Sequence, residues 1–135
     1  MGPYKRTLKE GEILFKEGSY SDCAYIIESG ALEVSKKNKK GGETFVAVLK
    51  KNDIVGELGL IDGQPRSASV TAVKDTLITI ITREHFEALA KENPNALMPI
   101  MKVLARRLRD SLSKMVRSPE SEYIEKPTGK SSLAI

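Results

Sequence analysis

The chain has 135 residues, 40% of them hydrophobic and 30% charged, with a net charge of +4 and one cysteine. That length suits one domain that buries a core without disulfides or a structural metal. The lone Cys23 excludes an intramolecular disulfide framework, the basic excess describes a solvated surface better than a nucleic-acid groove, and no apolar run nears the roughly 20 residues of a membrane span.

The N-terminus lacks the apolar core of a signal peptide, so a soluble, cytoplasmic protein is expected. From about Thr7 to Thr82 the pattern is one of short strands between turns. Ile13 and Phe15 alternate with Leu14 and Lys16 before the turn signal Glu17-Gly18. Ala24 to Ser29 is apolar and β-rich, and its Cys23 neighbour reads as a buried rather than reactive thiol. Gly30 breaks that run, and Leu32 and Val34 then alternate with Glu33 and Ser35, as on a strand with one wet face. Lys36 to Gly42 is polar, like-charged and glycine-terminated, the composition of a hairpin loop in water. Thr44–Leu49, Ser67–Val73 and Leu77–Ile81 are further β-branched runs. Strands this short and this frequent indicate an antiparallel sandwich or barrel.

After Thr82 the period changes. Thr82 is placed to cap a helix from Arg83 to about Lys91, which Asn93-Pro94 interrupts. A second helix is expected from about Leu97 to Val116, with Pro99 in its first turn. Leu97, Met101, Leu104, Leu108, Leu112 and Met115 form an a/d seam along it. Two readings stand for that seam: packing on the chain's own barrel, or a homodimer contact through residues 97–115. Residues 118–135 mix Pro, Gly, Ser and charges without periodicity and read as a disordered tail. The expected division is therefore a domain over 1–117 (strands about 7–82, helices about 83–117) and that tail.

The segment Val55 to Val70 carries the functional signal. A strand ends at Val55, Gly56 lets the backbone turn, and Glu57 to Ile61 can form one short helical turn. Asp62-Gly63 and Pro65 reverse the chain, and Arg66 opens the next strand. The result is a tight loop with a carboxylate at one end and a guanidinium at the other. Amide donors and an arginine fork suit a phosphate, while the carboxylate suits a hydroxyl. A ligand carrying phosphate and ribose hydroxyl satisfies both. An ion pair between Glu57 and Arg66 across the turn is the other reading of the same spacing.

This segment resembles the phosphate-binding cassette of the cyclic-nucleotide-binding domain family. That family includes bacterial catabolite activator proteins, regulatory subunits of cyclic-AMP-dependent protein kinase, and nucleotide-gated channels. Gly56-Glu57-Leu58-Gly59-Leu60 matches the bacterial activators, and Gly63-Gln64-Pro65-Arg66 keeps the kinase-subunit spacing from Glu57. Gly11-Glu12, Glu17-Gly18, Asp22 to Tyr25, Gly30 and Asp53 stand where such domains turn, so the resemblance runs from about Leu8 to Val116. It implies a mainly β fold, an antiparallel double-stranded β-helix (jelly-roll) barrel followed by C-terminal helices. It implies a signalling role, a bacterial source, and cyclic AMP rather than cyclic GMP as ligand, with no catalytic cofactor and no metal.

By the same resemblance Arg66 pairs with the phosphate, Ser67 and Ala68 add donors, and Glu57 accepts the ribose 2′-hydroxyl near the amides of Gly56 and Leu58. Val34, Val46 and Leu58 line the base and sugar, and Ser111 with its helical neighbours Arg107 and Leu108 caps the base. Two departures matter. Leu112 stands where the activators carry a second hydroxyl across the dimer, and no helix-turn-helix follows the long helix, so no DNA-binding domain is expected and the effector protein is unknown.

Other functions fit less well. A degenerate relative that serves as an interaction module without ligand is the main alternative. A cupin-type enzyme needs several histidines, and His85 is the only one. Serine-protease-like catalysis lacks its nucleophile motif, and the Glu57/Arg66 pair has no second base for phosphodiester hydrolysis. Arg106, Arg107 and Arg109 fan around their helix and read as a solvated surface rather than a DNA contact.

Overall fold

The structure is a computed structural model that describes residues 4–117. Eight strands are present: β1 Tyr4–Leu8, β2 Ile13–Phe15, β3 Cys23–Ser29, β4 Leu32–Lys37, β5 Glu43–Leu49, β6 Ile54–Val55, β7 Ser69–Ala72 and β8 Thr76–Thr82. Three α-helices join them: α1 Glu57–Asp62, α2 Arg83–Glu92 and α3 Met98–Arg117, with a 3-10 turn at Pro94–Leu97. The expected tail, 118–135, lies outside the described residues.

The strands form two four-stranded sheets, ordered β1-β8-β3-β6 and β2-β7-β4-β5, with every paired neighbour antiparallel. Most connections carry the chain from one sheet to the other, the winding of a jelly-roll, as the family resemblance implied. Alternating residues fill the space between the sheets. Leu8, Ile27, Leu32 and Ile78 are fully buried, and Leu14, Tyr25, Val55, Val70 and Ala72 complete the core. Each such aliphatic side chain removed from water stabilises the fold by about 1.5–3 kcal/mol.

Gly30 shows why one turn accepts no side chain. Its φ is +99°, and a Cβ there would stand 2.4 Å from Oγ1 of Thr76. That buried hydroxyl accepts from the Ala31 amide at 3.1 Å and lies 2.8 Å from the Lys74 carbonyl, tying β3–β4 to the start of β8.

Three sequence expectations change. The strand β1 was not anticipated, because four of its five residues are exposed and only Leu8 points inward, so it shows no alternation. Lys36 and Lys37 belong to β4 rather than to the loop, because they pair with Thr44 and Glu43 of β5, and Glu17 receives the Lys37 amide at 2.9 Å and the Lys36 ammonium at 3.5 Å. The alternation at Ile13–Phe15 is broken by a bulge. Ile13 pairs with Thr71 and Phe15 with the neighbouring Val70, so β2 advances two residues against one on β7. Leu14 is buried and Phe15 packs against the core, while Ile13 is exposed.

The described residues fall into two compact units divided between Pro94 and Asn95. The first holds both sheets, α1 and α2. There Thr82 caps α2 as expected, its Oγ1 accepting from the His85 amide at 3.1 Å. The second holds α3, which begins at Met98, one residue later than the spacing predicted, with Pro99 in its first turn. No helix among the described residues is long and apolar enough to cross a membrane.

Candidate ligand-binding site

The site is built around the eleven-residue span from Gly56 to Arg66. Gly56 precedes α1 with φ of +82°, and Gly63 ends it with φ of +74° while its amide returns to the Gly59 carbonyl at 2.9 Å. Both positions need the left-handed region that glycine enters without steric cost. Asp62 then accepts the Gln64 amide at 3.0 Å, which turns the chain toward Arg66. Helix α1 is held close to the loop between β2 and β3. A Cβ on Gly59 would stand 1.9 Å from the Ser21 hydroxyl, so only glycine permits this approach. Arg83 donates to the Ser21 carbonyl at 2.8 Å and fixes that loop from the start of α2.

The backbone of Arg66 is pinned on both sides. Its amide donates to Ser19 at 2.9 Å, and its carbonyl receives the Gly18 amide at 2.8 Å. The Gly18–Ser19 turn therefore acts as a clamp on the arginine. The side chain runs inward and is only 5% exposed. Its Nη1 donates to the carbonyls of Cys23 at 2.8 Å and Gly56 at 3.1 Å. Its guanidinium carbon lies 4.1 Å from the centre of the Phe15 ring and 5.8 Å from that of Tyr25.

Among the described residues, the ion-pair partner of the guanidinium is a distant one. Asp22 approaches Nη2 at 3.8 Å, but that carboxylate is largely in water, and Nε is buried with no hydrogen-bond partner. An enclosed cation with an unused donor is costly unless an anion joins it. The other end of the cassette is also enclosed, for Glu57 is 2% exposed. The sequence placed these two charges on a loop with exposed amides, and the fold instead withdraws both side chains from solvent.

Cys23 is half-buried, more open than its neighbours suggested. Its thiol donates to the Tyr25 hydroxyl at 3.0 Å, and burial pushes its pKa up. Burial also raises the Tyr25 phenol, so both groups keep their protons beside the arginine.

The remaining expected residues are distributed as follows. Ser67 is exposed and Ala68 half-buried, both directly after Arg66, and the Ser67 carbonyl accepts from Lys36. Val34 sits in register between Val70 and Ala47. Val46 and Leu58 are exposed apolar side chains, 44% and 46% accessible, on β5 and α1. Arg107 and Ser111 stand one turn apart on α3, in the second compact unit. Sequence reasoning missed Phe15, Tyr25 and the Cys23 carbonyl as partners of Arg66. Only the β2 bulge and the pairing of β3 bring them there, and no local pattern announces either.

The pattern of the cyclic nucleotide-binding domain family matches residues 5–93. The chain is 32% identical to the cyclic AMP receptor protein of Thermus thermophilus over 79% of its length, and it spans 50% of that relative. It is 33% identical to lysophospholipase NTE1 of Chaetomium globosum over 73% of its length, which is 6% of that enzyme. Among solved structures, the Thermus thermophilus catabolite activator protein superposes with a TM-score of 0.77 at 30% identity, covering 84% of this chain and 53% of that one. The buried arginine, the glycine-bounded short helix and the jelly-roll thus occur together in a chain that belongs to the cyclic nucleotide-binding domain family.

Proposed function

We propose that this chain is a non-catalytic sensor module that binds cyclic AMP in preference to cyclic GMP. The observation that carries the reading is the enclosed Arg66 guanidinium, whose Nε is buried and unpartnered. A cyclic phosphate supplies the single negative charge that such a group lacks, in a setting where a paired charge is worth far more than in water. Ser67 and Ala68, directly after the arginine, add a hydroxyl and backbone donors. Glu57 accepts the ribose 2′-hydroxyl from the other end of the cassette. Val34, Val46 and Leu58 offer apolar surface to the sugar and base, and Val46 and Leu58 are exposed. Capping of the base by Arg107 and Ser111 is a separate part of the reading, carried by the family resemblance.

The preference for cyclic AMP rests on Ser67, which stands where cyclic-GMP-selective relatives carry threonine. It is supported by the name of the Thermus thermophilus relative, a cyclic AMP receptor. A cytoplasmic setting follows from the ligand, which is made and read there. Calorimetric titration with cyclic AMP and cyclic GMP in parallel tests the reading. Binding at micromolar concentrations or below, tighter for cyclic AMP, supports it. No heat and no shift in melting temperature with either nucleotide would instead indicate a module retained for protein contacts alone.

A further inference from the structure

The guanidinium of Arg66 has two edges on which an anion can sit, and the structure spends one of them. Nη1 is committed to the carbonyls of Cys23 and Gly56. Among the described residues Nη2 has distant partners, Cys23 Sγ and Asp22 Oδ1, both at 3.8 Å, and Nε has none. The Nε–Nη2 edge is therefore the one left for two parallel hydrogen bonds to a phosphate. Which edge is free depends on the rotation of the guanidinium plane, and two carbonyls on one nitrogen do not fix that rotation by themselves.

The aromatic ring of Phe15 does. It lies 4.1 Å beneath the guanidinium carbon, within the range of a cation–π contact. It stacks in turn on Tyr25, with ring centres 6.1 Å apart and planes 23° from parallel. The ring also fills the space beside Gly56, where an added Cβ would meet its Cε2 at 3.2 Å. The ring reaches this place because the β2 bulge sets Phe15 opposite the buried Val70 instead of turning it outward.

We propose that Phe15 is a positioning residue for phosphate recognition: its ring face holds the Arg66 guanidinium so that the Nε–Nη2 edge meets the ligand. The proposal rests on the cyclic-nucleotide reading above and adds a residue that acts through Arg66. A ring under a charge that is kept from water strengthens the binding it orients by about twofold to thirtyfold.

The test compares Phe15→Leu, which keeps an apolar side chain, with Phe15→Tyr, which keeps the ring face. Melting curves establish that both are folded, and Phe15→Met serves as the second ring-free variant should Phe15→Leu not fold. Each is titrated with cyclic AMP and, by competition, with adenosine, which has base and sugar but no phosphate. The expected result is a loss of about tenfold for cyclic AMP in the ring-free variant, little change for adenosine, and recovery in Phe15→Tyr. Equal losses for both ligands would make Phe15 a wall of the pocket and overturn the proposal, as would unchanged affinity for cyclic AMP. A wild-type chain that binds no cyclic nucleotide overturns the functional reading and this proposal together, so the two failures are told apart.

Discussion

Nη1 of Arg66 lies 3.1 Å from the carbonyl of Gly56, ten residues earlier in the chain, and 2.6 Å from the position a Gly56 Cβ would take. The two ends of the cassette are thus locked together through the side chain proposed to meet the ligand. Any change at either residue is felt at the other, and the hydrogen bond gives the loop a defined shape before phosphate arrives. Preorganisation of this kind reduces the ordering cost of binding.

Arg66→Ala is expected to weaken cyclic AMP binding by about 2–5 kcal/mol, because it removes the enclosed positive charge of the site. Arg66→Lys falls between the two, since an ammonium keeps the charge but loses the second parallel donor. Titration calorimetry of both variants measures the order. Wild-type affinity in Arg66→Ala would remove the arginine from the site.

Gly56→Ala places a side chain at φ of +82° and drives it into the Arg66 guanidinium and the Phe15 ring. The backbone cost alone is about 1–2 kcal/mol. A lower melting temperature and weaker ligand binding are expected together. Gly63→Ala has a similar φ but open space around it, so it should lower stability with a smaller effect on affinity.

Glu57→Gln tests the sugar end of the site. If Glu57 accepts the ribose 2′-hydroxyl, the wild type prefers cyclic AMP to its 2′-deoxy analogue, and the variant loses most of that preference. The expected scale is about 1–3 kcal/mol, that of a hydrogen bond to a charged group. Equal discrimination in wild type and variant would place the hydroxyl elsewhere.

The raised pKa of Cys23 makes a chemical prediction. Burial favours the protonated thiol, so at pH 8 it should react with iodoacetamide more slowly than a free cysteine. The rate should climb only as the pH passes the ordinary thiol range. Since the thiol lies 3.8 Å from Arg66 Nη2, saturating cyclic AMP is expected to slow the reaction further. Mass spectrometry of quenched samples follows it.

Glu17 supplies an acid-side prediction. The Lys37 amide holds its carboxyl below the usual range, so its contribution is present above that range and fades as pH falls through the lowered value. Glu17→Gln should therefore melt below the wild type at pH 7, with the gap closing toward pH 3. A gap that stays constant with pH would show that the charge is not involved.

Local chemistry in the chain determined a good deal. Gly56, Gly63 and Pro65 specify turns by backbone sterics, Thr82 caps α2 through its own hydroxyl, and the alternation in β4 and β7 sets which residues face inward. The spacing from Glu57 to Arg66 and its likeness to a known cassette carried the functional reading. What only the tertiary structure decided is the environment of the arginine. The β2 bulge turns Phe15 inward, β3 brings the Cys23 carbonyl across from a different part of the chain, and the Gly18–Ser19 turn clamps the Arg66 backbone. Each of these depends on strands far apart in sequence meeting in register, and register is a property of the whole sheet that no short stretch of residues encodes.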